Sequence, residues 1–217
     1  VGARARQALI VAGIDVGAER KGFHAVALTD GALLGTFTDR DPAAIAAWCE
    51  ARGAMLVGVD APAAWSVDGR MRPAERALNA AGIRCFASPT RAAALAHPKG
   101  WYDWMLNGER LYAALSTVYA RYRGGAPGRH CFETFPQAIA VALLGGTVSA
   151  RDKRVQRPRA LASAGVDPTR LAGIDFVDAG LCAVAADRLA RGCARCFGGG
   201  DDPPIVVPVT RGPGPTA

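Results

Sequence analysis

The chain has 217 residues, half of them hydrophobic, which suits one domain with an insertion, or two small ones, and supplies enough apolar residues for a sizeable core. No apolar run approaches the ~18–20 residues of a membrane span, and VGARARQALIVAGIDVG lacks the h-region and cleavage site of a secretory signal, so no membrane is expected and the cytoplasm is the default. The formal net charge of +7 comes almost wholly from arginine, the lysines being Lys21, Lys99 and Lys153, and gives phosphate-rich partners modest support.

In chain order, LIVAGIDVG (9–17) is a short apolar run ending in Asp15 and Gly17 and reads as a buried strand. FHAVALT and ALLGTFT, separated by Asp30-Gly31, read as a second and a third strand joined by a hairpin turn, giving an antiparallel meander. Asp41, Pro42 and Gly53 frame a helix over PAAIAAWCEARG. The helix leads into MLVGVDAP (55–62), a strand that a helical crossover places parallel to a strand of the same sheet. Residues 63–128 interrupt this order with Pro-, Gly- and Arg-rich loops, a helix near 73–81 and an amphipathic helix over 104–122, whose aromatics are expected to pack the insertion onto the domain. HCFETFP returns to strand, Pro136 opens a helix ending at Gly145-Gly146, and RDKRVQRPR is a basic segment followed by a short helix through Ala164. One more helix lies within LAGIDFVDAGLCAVAADRLA, and residues 198–217 read as a Gly/Pro-rich tail to a domain of 1–197, with IVVP as an extended piece.

Cys49, Cys85, Cys131 and Cys182 lie in apolar segments and are expected to be reduced; Cys193 and Cys196 form a CxxC with neither a second ligand pair for zinc nor a redox setting. The histidines lack zinc spacing, and none of His24, His97 and His130 receives a role.

A strand at 55–60 lying beside and parallel to 9–15 brings Asp15 and Asp60 to neighbouring carboxyl ends, where open α/β sheets place ligands. Two buried carboxylates side by side need a cation, a proton or hydrogen bonds. Asp175 and Asp178 share one helical face. They read either as an N-cap with its N3 acid or as two further ligands for a cation.

These segments together resemble the RNase H-like superfamily, especially its RuvC-like branch and a related group of bacterial proteins predicted to be nucleases. GIDVG is similar to the first-strand motif, VGVDAP to the acidic fourth strand, HCFETFPQAIAVALLGG to the fifth strand and its helix, ARDKRVQRPRAL to the basic segment, and DFVDAGLCAVA to the final D-x-x-D-A pattern. The resemblance implies an α/β fold with a mixed five-stranded sheet, the first three strands antiparallel, flanked by helices and carrying a helical insertion at 63–128. It implies Asp15, Asp60, Asp175 and Asp178 as ligands of Mg²⁺ or Mn²⁺, with Lys153 near the scissile phosphate, in a two-metal nuclease. Nucleic acid, DNA or RNA, is the implied partner, with Arg151, Lys153, Arg154, Arg157 and Arg159 on its backbone; a homodimer stays open. The RuvC branch usually has Glu where this chain has Asp60, and the shorter side chain would shift or loosen one ion. Glu133, beside Phe132 and Pro136, matches a Glu-aromatic-Pro strand and is taken as a catalytic candidate, with a purely structural role left open. Two other readings are an actin-like or sugar-kinase-type phosphotransferase, whose first hairpin cradles phosphate, and a catalytically silent nucleic-acid-binding module of the same fold.

Overall fold

Strand periodicity decides which residues meet. The structure, a computed structural model, describes residues 8–145 and 148–209. In β1 (Ile10–Val16), β2 (Phe23–Thr29) and β3 (Ala32–Asp39) the chain forms an antiparallel meander, turning between β2 and β3 at Asp30-Gly31. Asp41 accepts a hydrogen bond from the Ala43 N–H and caps α1 (Pro42–Ala51), after which β4 (Leu56–Asp60) lies parallel to β1.

The insertion contains α2 (Pro73–Ala80), α3 (Arg91–Leu95), α4 (Asp103–Leu115) and the two-residue strand β5 (Ala120–Arg121). The helix expected to reach Tyr122 ends at Leu115, because the hydroxyls of Ser116 and Thr117 donate to the carbonyls of Ala113 and Ala114. Such local bonding competes with helix propagation, and the turn that follows lets Tyr119 enter the core. Tyr112, Tyr119 and Tyr122 are buried, as expected of packing residues, whereas Trp101 is 70% exposed.

β6 (His130–Glu133) pairs parallel with β4 and is followed by α5 (Pro136–Leu144), α6 (Lys153–Ser163), α7 (Ile174–Ala190), β7 (Ala194–Gly199) and β8 (Asp202–Pro208). Three expectations are corrected. The basic segment does not precede a helix but forms one, with Pro158 inside α6. The sheet has eight strands rather than five, in the order β3-β2-β1-β4-β6-β8-β7 with β5 beside β6. Residues 198–209 are therefore not a tail: the β7–β8 hairpin joins the sheet, β8 runs parallel to β6, and Ile205, Val206 and Val207 are buried. Residues 210–217 lie outside the described residues. The first part of the order, an antiparallel meander with β4 and β6 following in parallel beside β1, agrees with the mixed sheet that the resemblance implies.

The sheet separates two cores. Val11, Leu56 and Phe132 pack with α5, α6 and α7 on one face; Ala12, Ile14, Val57, Val59 and Cys131 pack with α1 and α4 on the other. Alternate residues of a strand share a face, so Gly13 and Asp15, with Gly58 and Asp60, belong to the α7 face. All six cysteines are free thiols, and among the described residues no helix is long and apolar enough to cross a membrane.

The α7 backbone lies directly on the two glycines. A Cβ added at Gly13 would sit 2.0 Å from the Ala183 nitrogen and 2.2 Å from the Ala179 oxygen, and one added at Gly58 would sit 2.5 Å from the Cys182 oxygen. Backbone cannot step aside as a flexible side chain can. Gly13→Ala should cost about 3 kcal/mol or more, at the upper end of overpacking penalties, measured by denaturant unfolding. Gly35→Ala, where the added carbon meets only the Arg52 guanidinium at 3.5 Å, should change stability by less than ~1 kcal/mol. Equal effects at both positions would show that the helix can retreat from the sheet.

Candidate metal centre

Asp15 and Asp60 are register partners on the parallel strands β1 and β4. Above them α7 begins. Gly173 precedes its first residue with φ of 97°, a conformation that favours glycine. Asp175 is thus the second residue of the helix and not its N-cap, which corrects the capping reading. Its carboxylate accepts a hydrogen bond from Lys21 at 2.8 Å. Asp178, one turn further on, is buried.

The electrostatics place the aspartates in one field. Burial pushes Asp60 well above the usual carboxylate range, and Asp15 and Asp178 push it further, against the pull of Arg157 and Lys21. Asp178 is raised by burial and by Asp175, opposed by Arg157 and Lys153. Asp15 is pushed up to about 6, first by burial and then by Asp178 and Asp175, with Lys21 opposing. One carboxylate oxygen of Asp178 takes the Arg157 guanidinium in a buried ion pair, while the other, Oδ1, is buried with no hydrogen-bond partner. An unpartnered carboxylate oxygen in a buried group is costly. A hard divalent cation reaching that oxygen would satisfy it.

Two residues that received no role in the sequence reading enter this set. Lys21, in the β1–β2 turn, reaches Asp15 at 3.3 Å and Asp175 at 2.8 Å. Burial alone would lower its pKa, but the two carboxylates outweigh that and raise it. His24 lies opposite Asp15 across the β1–β2 ladder; its Nδ1 is 3.8 Å from Asp15 Oδ2 and lacks a hydrogen-bond partner. Burial lowers the His24 pKa, favouring the neutral ring. Ligand atoms of Asp15, His24 and Asp175 all lie within 4.8 Å of one another, a spacing that suits one ion. The sequence signal for His24 was the hairpin register, not His/Cys spacing.

The other candidates divide. Lys153, the first residue of α6, is half-buried and near enough to Asp178 to lower its pKa. Arg151, Arg154 and Arg159 are exposed. Arg157, expected on a phosphate backbone, is instead buried on Asp178. Its position on α6 faces α7, and an unpaired buried acid there would be unfavourable.

Glu133 does not join the aspartates. It pairs in register with Val59, the residue before Asp60, so its side chain leaves the opposite face of the sheet. There it accepts hydrogen bonds from Arg72 at 2.6 and 2.8 Å and from the Ala63 N–H at 2.9 Å. Burial pushes its pKa up to about 7 against the pull of Arg72. Arg72 also pairs with Glu75 and Asp202, so this second acidic group ties the insertion to β6 and β8.

The family profile described as "Protein of unknown function (DUF429)" matches residues 13–202. A search of curated proteins returns no match. Among solved structures, the chain is similar to one titled "Thermus thermophilus RuvC structure", at 15% identity and a TM-score of 0.45, covering 91% of this chain and 100% of that one.

The pKa of Asp15 has a consequence for the metal-free protein. Its folded value of about 6 exceeds the ordinary 3.8. Between the two the folded chain holds a proton that the unfolded chain has released, so this contribution is fully present below 3.8 and lost as pH rises through about 6. The loss is at most about 3 kcal/mol. Asp15→Asn should be more stable than the wild type in metal-free buffer at about pH 8 and should have a flatter stability profile above about pH 4. Denaturant unfolding in chelator across that range is the measurement. An unchanged slope would show that Asp15 is already ionised in the fold without metal.

Proposed function

We propose that this chain, which belongs to the family described as "Protein of unknown function (DUF429)", is a divalent-metal-dependent nuclease. The observation that carries the reading is the convergence of Asp15 and Asp60, register partners on adjacent strands, with a buried Asp178 whose Oδ1 has no other partner. Hard oxygen ligands suit Mg²⁺ or Mn²⁺. Such an ion supplies Lewis acidity to a phosphoryl oxygen and makes water a better nucleophile near neutral pH.

The chain's own residues supply the rest. Asp15, Asp60 and Asp178 hold the cation, and Arg157 fixes the Asp178 carboxylate so that one oxygen remains for it. Lys153, half-buried beside Asp178, meets the scissile phosphate, and the exposed Arg151, Arg154 and Arg159 follow the neighbouring phosphates.

The β1–β2 turn supports this reading over a phosphotransferase. A phosphate-cradling hairpin needs free backbone N–H groups. Here three of the turn's N–H groups are already used: that of Gly17 donates to the Gly22 carbonyl at 2.9 Å, and those of Lys21 and Gly22 donate to the Ala18 carbonyl at 2.8 and 2.9 Å.

Purified protein should cleave at least one member of a panel of single-stranded, duplex and branched DNA and RNA with Mg²⁺ or Mn²⁺, and chelation should abolish cleavage. Loss of a group that merely supports a metal ligand costs about 10–100-fold, so Asp60→Asn and Asp178→Asn should each lose more than that while remaining folded. Activity retained in both variants, or unaffected by chelator, would exclude the carboxylate mechanism.

The basic helix makes a separate demand. Replacing Arg151, Arg154 and Arg159 together with Gln should flatten the slope of log K for nucleic-acid binding against log salt by up to about 3, since each phosphate contact contributes about 0.9. Arg157→Ala should act on stability, costing about 3–5 kcal/mol because it strands a buried carboxylate. A salt slope that responds to Arg157 alone would reverse these assignments.

A further inference from the structure

The candidate centre has two halves that share Asp15. On one side, Asp15, Asp60 and Asp178 leave a buried carboxylate oxygen without a partner. On the other, Asp15, His24 and Asp175 are spaced to hold an ion, yet the Lys21 ammonium already contacts both of these carboxylates, at 3.3 and 2.8 Å. That position is built. The β1–β2 turn is closed by its own backbone hydrogen bonds, and the Lys21 stem lies across Gly17, where an added Cβ would come within 2.6 Å of the Lys21 Cδ.

We infer that this centre takes one divalent cation, at Asp15, Asp60 and Asp178, and that the Lys21 ammonium is the resident cation of the other half, where a second metal ion would otherwise bind. The inference rests on the metal-dependent reading given above and concerns how many ions that reading involves.

Charge balance supports it. Of the four aspartate charges, the chain matches one with Lys21 and one with Arg157. With Lys153 also near Asp178, no more than two negative charges remain, which a single divalent ion balances. A second ion would have to displace the ammonium from Asp175 or bind beside it against direct repulsion. An ammonium has three N–H donors; contacts with Asp15 and Asp175 use two, leaving the third for a substrate phosphate oxygen. Lys21 then supplies charge to the phosphate from the side where a second metal would have done so. Its side chain is 43% exposed, so it can be replaced without opening a cavity in the core.

The test counts ions and does not depend on turnover. Full-length protein without substrate is titrated with Mn²⁺, and bound ions are counted by calorimetry and by electron paramagnetic resonance of the free ion. The wild type should bind one Mn²⁺, Lys21→Met and Lys21→Gln should each bind two, and Lys21→Arg should bind one. The variants are checked for an unchanged fold by circular dichroism; the wild-type count tests the inference even if one of them is unstable. Two ions on the wild type, or one on both neutral variants, would overturn the inference while leaving the nuclease reading intact. No Mn²⁺ on the wild type would overturn the reading beneath it as well.

Discussion

The arrangement of the centre depends on the contact between the α7 backbone and a pair of glycines. Gly13 and Gly58 are register partners on β1 and β4, and a Cβ on either would penetrate the α7 main chain. With no side chains between them, helix and sheet approach more closely than packed side chains allow. Ala179 and Ala183 line the contact. The sequence writes this device twice, as Gly13-Ile14-Asp15 and Gly58-Val59-Asp60. Two residues along a strand is the spacing that keeps a side chain on the same face. Each glycine therefore admits the helix, and each aspartate, one pleat further on, meets the first turns of that helix, where Asp175 and Asp178 stand.

The protein has two acidic clusters, and their hydrogen bonding separates a structural one from a candidate centre. On the face opposite α7, Arg72 donates to Glu75, Glu133 and Asp202, while the Ser88 hydroxyl and N–H complete Glu75 and the Ala63 N–H completes Glu133. Every carboxylate there has a donor, which is what burial demands of a charge with a structural role. The aspartate cluster is under-supplied. Two cations of the chain, Lys21 and Arg157, contact three of the four carboxylates, one Asp178 oxygen is left over, and burial first, then mutual repulsion, raises the pKa of the members that are most enclosed. A cation from outside the chain would complete it.

Much of this was legible in the sequence, because local rules govern much of it. The meander, the helix after Asp41, the parallel strand ending at Asp60 and the meeting of Asp15 with Asp60 all follow from periodicity, caps and one crossover. What escaped depends on pairings between distant segments. Lys21 reads as a turn residue until the distance to Asp175, far along the chain, is known. Glu133 and Asp60 look alike as acids ending parallel strands, yet the register of β4 on β6 offsets them by one residue and sends them to opposite faces. The Gly/Pro content of 198–209 suggested a tail, but β8 pairs with β6 at Ile205 and with β7 along its length, and Pro203 and Pro204 fall at the register shift between β7 and β8, outside the β6 pairing, where the ladder tolerates proline. Arg157 appeared as one cation among several because burial on α7 is not written in the composition of α6.

The insertion, which interrupts the fold between β4 and β6, holds the loops that leave the two acidic strands. Asn107 of α4 donates to the Gly17 carbonyl at 2.9 Å, just beyond Asp15, and the Tyr112 hydroxyl of the same helix donates to the Ala61 carbonyl at 3.1 Å, immediately after Asp60. Gly108 lies between these two residues and faces Ala61, whose Cβ would be only 2.6 Å from an added Cβ. One helix therefore fixes both strand ends from the face opposite α7. A carboxylate pair is useful to a cation only if its spacing does not relax when the charges repel, and repulsion between Asp15 and Asp60 acts to spread their strand ends. Buried hydrogen bonds from a single rigid helix to both ends oppose that spreading. The insertion is thus part of the centre mechanically while contributing none of its four aspartates, and the Arg72 cluster that docks it to β6 and β8 becomes a remote support for the same geometry.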